Sequence, residues 1–150
     1  MRRAAEPHRL ALRDYYEDTD FSGSVYHASY LRFLERARTE LLRALGVEHT
    51  KLIATGDPGG CHFVVLAMSL EFLKPAFMDD LLSVETGVCS LGGASIEMKQ
   101  VIRRAHEVLL TADLRIALVG GGRPRRIPAE ILDKLRPSLA SLAAAPPNCE

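Results

Sequence analysis

The densest run of chemistry-bearing side chains is Tyr15-Tyr16-Glu17-Asp18-Thr19-Asp20-Phe21-Ser22-Gly23-Ser24-Val25-Tyr26-His27. Three carboxylates precede a glycine-containing turn, and a histidine follows it. Asp20 and His27 are seven positions apart (27 − 20 = 7), so a loop that folds back can bring both to one place. A carboxylate held there can attack an electrophilic carbon directly or take a proton from water. The segment runs straight into a helix, whose first turn offers unpaired N–H groups and the positive end of the dipole, both suited to a developing oxyanion. Plainer roles stand beside these. Asp18 and Asp20 also suit turns and helix entries. His27 also suits a helix cap or a packed ring. Glu17 and Asp18 read as structural, because a hard cation wants more oxygen ligands than this segment offers.

The elements that must position these residues follow from periodicity. Arg9 to Tyr16 predicts a short strand, and Glu17–Ser24 a turn. A helix is expected from Ala28 to Leu45, because Tyr30, Phe33, Leu34, Ala37, Leu41, Ala44 and Leu45 recur at three- and four-residue steps. Gly46 stands where a C-terminal cap belongs. Thr55–Gly60 reads as an irregular loop. The period then changes to two. Val64, Leu66, Met68, Leu70 and Phe72 alternate with Phe63, Val65, Ala67, Ser69 and Glu71, so this strand is apolar on both sides. Leu82–Val88 and the Ile96–Ile102 segment follow, joined by a turn at Ser90–Ala94, and Leu110–Leu118 is the last strand. Gly120–Arg126 reads as a flexible basic loop. Pro128 is placed to open a C-terminal helix reaching Leu142, with Ala143–Glu150 as a frayed tail. One strand, one helix and four successive strands predict an α+β domain: a helix on a five-stranded antiparallel sheet, with 1–150 as one unit.

Composition excludes several classes. With 150 residues, 47% hydrophobic and 25% charged, the chain is long and apolar enough to fold around one core without a disulfide or metal staple. Lys+Arg and Asp+Glu both number 19, so the net charge is zero, which argues against a nucleic-acid partner and against general attraction to an acidic membrane. Zero charge also gives little self-repulsion and leaves self-association open. No apolar run approaches the length of a membrane span, and the N-terminus lacks a secretory h-region. Cys61, Cys89 and Cys149 form no CxxC pair, so a reducing, cytoplasmic setting is expected.

The run YYEDTD-x-x-G-x-VYHA-x-YL-x-F-x-ERARTE, over Tyr15 to Glu40, resembles the hotdog-fold thioesterases of the 4-hydroxybenzoyl-CoA thioesterase type, in particular the acyl-CoA thioesterase branch encoded with the Tol-Pal envelope system. The resemblance implies a hotdog fold, a long central helix wrapped by an antiparallel sheet, with dimers that join their sheets and active sites at subunit interfaces. It implies hydrolysis of acyl-CoA thioesters without metal or cofactor. By position, Asp20 matches the family's catalytic aspartate, as nucleophile or general base. The backbone N–H of His27 matches the group that polarises the thioester carbonyl, and its side chain the position that orients substrate or water. Tyr26 would line the pocket, and Gly23 permits the tight backbone path. Phe21, Ser22 and Ser24 depart from the smaller or more apolar residues frequent in the family, which bears on the acyl pocket or the turn. Some relatives carry basic residues in the turn corresponding to Ser90–Ser95, where this chain has none. The CoA phosphates are therefore expected at Arg123, Arg125 or Arg126; the plain reading of that loop is a solvated stretch.

Two other functions share these features. A hotdog dehydratase or hydratase acting on acyl thioesters has the same fold, and fold alone does not separate them. A non-enzymatic oligomeric binding or scaffold protein linked to envelope machinery also fits. The two-sided apolar strand Phe63–Leu70 predicts a homo-oligomer, with a homodimer as the smallest unit and a homotetramer the next.

Overall fold

A computed structural model describes residues 6–48 and 60–139. The 18-residue helix α1 runs His27–Ala44, one residue earlier at each end than periodicity predicts. Its C-terminus is closed by main-chain geometry. Gly46 takes a positive φ of 84°, its N–H donates to Arg43 O at 3.0 Å, and the Val47 N–H donates to Leu42 O at 2.8 Å. This is a Schellman closure with a glycine in the left-handed position, and the accompanying apolar pair is Val47 and Leu42, both buried.

The strands are β1 His8–Arg13, β2 Cys61–Phe72, β3 Leu81–Leu91, β4 Ser95–Arg104, β5 Glu107–Gly120 and β6 Arg123–Pro124. They form a single antiparallel sheet in the order β1-β3-β4-β5-β2, with β6 added to β5. The expectation of a long helix on five strands is corrected on both counts: α1 is about 27 Å long, and the sheet has six strands. The sixth arises where a flexible loop was expected. Gly121 and Gly122 both take positive φ, which turns the chain back so that Val119 and Gly120 pair with Pro124 and Arg123. β1 is shorter than expected because Tyr16–Asp18 coil into a 3-10 turn. The C-terminal helix α2 covers only Ala129–Leu135, followed by a 3-10 turn at Arg136–Ser138. Pro137 supplies no N–H and restricts the residue before it, so the α-helix stops there. Residues 140–142 of the expected helix, the Ala143–Glu150 tail and the Thr55–Gly59 part of the loop lie outside the described residues.

The core consists of two apolar clusters separated by a polar belt. At one end Tyr30, Phe33, Leu34 and Ala37 of α1 pack with Leu82, Val84, Ile102 and Leu110. At the other, Leu41 and Leu42 pack with Val88, Ile96, Met98, Leu114, Ile116 and Leu118. Between them the buried Gln100 amide donates to Leu34 O at 2.9 Å and to Thr86 Oγ1 at 3.0 Å, and its oxygen accepts from Arg38 Nη1 at 3.0 Å. Burial lowers the Arg38 pKa, the charged form being costly there.

β2 is an edge strand. Phe63, Met68 and Leu70 pack on the core, whereas Val65 and Leu66 within the strand and Phe72 at its end are exposed in the single chain. No helix among them is long and apolar enough to cross a membrane.

Replacing Gln100 by Leu removes the hydrogen bond from the Arg38 side chain to the Gln100 oxygen and leaves a buried cation without that acceptor. The expected cost is about 2–3 kcal/mol, read as a lower urea midpoint with an unchanged slope. A loss below about 0.5 kcal/mol would show that the belt is dispensable.

Candidate active site

The loop from Thr19 to Val25 is built by short-range hydrogen bonds. Asp20 N–H donates to Ser24 O at 3.0 Å, and Gly23 N–H to Asp20 O at 3.0 Å. Gly23 has a φ of 86° with open space around it, so backbone conformation, not crowding, asks for glycine here. Thr19 and Val25 face each other in a lone antiparallel bridge, and Ser24 bridges Phe77. The exit of the loop therefore rests on the turn that precedes β3.

Asp18 ties the loop to the helix. Its carbonyl accepts the Tyr26 N–H at 2.8 Å and the Ser29 hydroxyl at 3.1 Å. Its carboxylate accepts the Tyr15 N–H at 2.9 Å and lies 3.5 Å from Arg32. The side chain is buried, which supports the structural role read from its sequence position. Tyr26 is the residue before α1 and makes no side-chain cap. The His27 N–H finds no acceptor among the described residues, as expected for the first turn of a helix.

Asp20 is exposed. Its Oδ1 accepts both the backbone N–H of Ser22, at 2.8 Å, and the Ser22 hydroxyl, which itself lies 2.7 Å from Ser24 Oγ. These bonds, with a smaller contribution from His27, lower the Asp20 pKa and favour the ionised form. Oδ2 carries no bond within the described chain. Ser22 is thus the hydrogen-bond partner of Asp20, where its sequence position marked only a departure from the family; the signal was the Asp-x-Ser spacing, which favours this side-chain turn.

Beside the helix start lies a cleft of about 290 Å³ lined by Val25, His27, Tyr30, Phe72, Leu73, Lys74 and Pro75. Tyr30 is fixed at its base, its hydroxyl accepting the Ala76 N–H at 3.0 Å, and its ring lies 5.8 Å from that of Phe72. Tyr26 does not line this cleft; its ring sits 4.5 Å from the His27 ring and is partly exposed. Phe21 is fully exposed at the loop tip.

Arg123, Arg125 and Arg126 are placed at the far end of the sheet. Leu110, which packs near Tyr30, is separated from Gly120 by about 33 Å of strand. Within one chain, Asp20, Gly23, Tyr26 and His27 are brought together and the arginines are not. Arg123 and Arg126 are exposed, while Arg125 is half-buried and donates to Gly120 O at 3.0 Å. Among the described residues no group of three His, Cys, Asp or Glu side chains is arranged to hold a metal ion.

The thioesterase superfamily model matches residues 22–111. The chain belongs to the thioesterase superfamily. It is 39% identical over 131 residues to the acyl-CoA thioester hydrolase YbgC of Escherichia coli, covering 85% of this chain and 95% of that protein. It is 41% identical over 122 residues to the acyl-CoA thioesterase YbgC of Haemophilus influenzae, covering 80% and 88%. A solved probable thioesterase from Bartonella henselae superposes with a TM-score of 0.78 at 43% identity, over 81% of this chain and 99% of that one. The resemblance read from Tyr15–Glu40 is therefore borne out, and so is the hotdog expectation in its coarser form, an antiparallel sheet carried by a thioesterase.

Because the buried Asp18 carboxylate holds the Tyr15 N–H and faces Arg32 of α1, Asp18→Ala is expected to lower stability by about 1–3 kcal/mol. Thermal unfolding monitored by circular dichroism reads this directly, and an unchanged midpoint would remove Asp18 from its anchoring role.

Proposed function

We propose that this thioesterase hydrolyses acyl-CoA thioesters to the free acid and CoA, with Asp20 as nucleophile or general base and the His27 N–H as oxyanion donor. The observation that carries this is the state of the Asp20 carboxylate. Ser22 occupies Oδ1 and favours the ionised form, while among the described residues Oδ2 has no partner and the other end of the loop delivers a helix-start N–H without an acceptor. As base, Oδ2 takes a proton from water while the water oxygen bonds to the carbonyl carbon. The C–S bond then breaks, and the thiolate leaves and is protonated. As nucleophile, Oδ2 bonds to the carbonyl carbon and expels the thiolate, and water then hydrolyses the resulting anhydride. In both routes the carbonyl oxygen gains negative charge, which the helix N-terminus stabilises. The apolar walls of the cleft suit the acyl group.

The unit that does this is read as a homodimer paired through β2. The strand leaves an open, partly apolar edge, the kind of surface that natural proteins cover. Two-fold pairing of such edges runs the strands antiparallel. It would carry the β5–β6 hairpin of one protomer toward the Phe72 end of the other, and with it Arg123, Arg125 and Arg126 to meet the CoA phosphates. Light scattering at micromolar concentration is expected to give at least twice the 16.5 kDa chain mass; a monomer alone would count against the reading.

Asp20→Asn is expected to reduce kcat/KM on a short acyl-CoA by about 10²–10⁴-fold with the fold intact, because the near-isosteric amide lacks the charge and basicity that either route needs. Asp18→Asn, a charge removed two residues away, should lose far less activity. Near-normal turnover in Asp20→Asn would end the assignment.

A further inference from the structure

Asp14 is the one described aspartate buried without a hydrogen bond. It follows β1, is 0% exposed, and neither carboxyl oxygen has a partner among the described residues. Its own main chain is fixed, with the N–H donating to Asp80 O at 3.0 Å and the carbonyl accepting the Asp79 N–H at 2.9 Å. The charged and titratable groups around it come from four elements. These are Asp18 from the 3-10 turn, Asp80 from the turn before β3, Arg104 from the end of β4, and the Tyr30 hydroxyl from α1. Arg104 is already engaged, by Asp80 Oδ2 at 2.7 Å, Pro75 O at 3.2 Å and Glu107 at 3.4 Å. Tyr30 is held by the Ala76 N–H.

The two carboxylates beside Asp14 are the anchors of the loop. The Asp18 carboxylate accepts the Tyr15 N–H and faces Arg32 of α1, while its main-chain carbonyl accepts from Tyr26 and Ser29. Asp80 accepts the Phe77 N–H at 2.9 Å, and Phe77 bridges Ser24 while Ala76 O accepts the Val25 N–H at 2.8 Å. One carboxylate therefore supports the entry to the Thr19–Val25 loop and, through Arg32, α1, and the other supports the loop's exit. A third negative charge between them repels both, in a site with no free cation to compensate among the described groups.

We propose that Asp14 is a proton-controlled positioning residue: neutral, it lets Asp18 and Asp80 hold the Asp20–His27 loop in place, and ionised, it loosens both anchors and lowers turnover. This inference rests on that loop being the active site. Burial first, and then repulsion from Asp18 and Asp80, raise the Asp14 pKa to about 7, against a smaller opposing pull from Arg104. The sign follows. The folded state binds the proton more tightly than the unfolded one, so the stabilisation is complete below the ordinary carboxylate range. It is lost as pH rises through about 7.

The test uses the full chain as wild type, Asp14→Asn and Asp14→Val, which both remove the ionisation, over about pH 5.5 to about pH 9. Two quantities are read: kcat/KM on a short acyl-CoA, corrected for spontaneous hydrolysis, and amide exchange of residues 15–29, corrected for intrinsic rates. If only the protonated form is competent, wild-type kcat/KM falls about tenfold between about pH 6 and about pH 8. Exchange of the segment rises over the same interval. Both variants should match the wild type within about twofold at the acid end and show neither change. An alkaline limb that persists in the folded variants, or wild-type exchange that does not respond to pH, overturns the proposal, as does failure of both variants to fold, which would make Asp14 a folding residue. If the wild type hydrolyses no acyl-CoA at any pH, the thioesterase reading fails by itself, and the exchange comparison alone decides whether Asp14 controls the loop.

Discussion

The site depends on a single residue held out of water at the point where the loop meets the helix. Asp18 uses its carbonyl to hold the residue before α1 and its carboxylate to hold the residue after Asp14. A helix start is an anion site only if its N–H groups are left free and aimed. Here the Tyr26 N–H is spent on Asp18 and the Ser29 N–H on Tyr26 O, while the His27 N–H meets no acceptor among the described residues. The cleft, the loop and the dipole end therefore share one geometric origin.

Aspartates in this short stretch meet opposite fates through environment alone. Asp20 lies in solvent, accepts two bonds from Ser22 and is pushed toward the charged form. Asp14 lies in the interior, has no donor and is pushed toward the neutral form. Pairs of like groups driven apart in acidity are a recurrent way for one fold to hold different proton states at the same pH. The two are six positions apart (20 − 14 = 6), so the contrast comes from the turn at Tyr16–Asp18, which carries the backbone from the sheet interior to the surface.

Much of this was legible in the residues. Period-two alternation found β2 to β5, because each has a face that must be buried, and the three- and four-residue spacing found α1 to within one residue. The Tyr15–His27 motif found the loop. Two buried polar groups, Asp14 and Gln100, were missed for one reason: each is a polar residue at an apolar position in the pattern. Leu10, Leu12 and Asp14 alternate toward one side, as do Met98, Gln100 and Ile102. In both runs the period already placed the polar side chain with the core, but residue type outweighed position in the reading. The β5–β6 hairpin was read as a loop because its glycines break the pattern, and their left-handed conformations are set only once the strand beside them exists. The placing of Arg123, Arg125 and Arg126 far from Asp20 depends on sheet order, which local spacing does not encode.

The Gln100 belt has a further consequence, for how the molecule can move. Helices on purely apolar surfaces slide readily in small shear steps, since one hydrocarbon contact replaces another at little cost. Here such a slide is penalised at once. A one-turn translation of α1 is about 5.4 Å, enough to carry Arg38 away from Gln100 and strand a cation in hydrocarbon on either side. The helix and sheet therefore behave as one rigid frame with a single register. Motion that admits a substrate and releases its products must come from the pieces outside that frame, the short segments around the helix start.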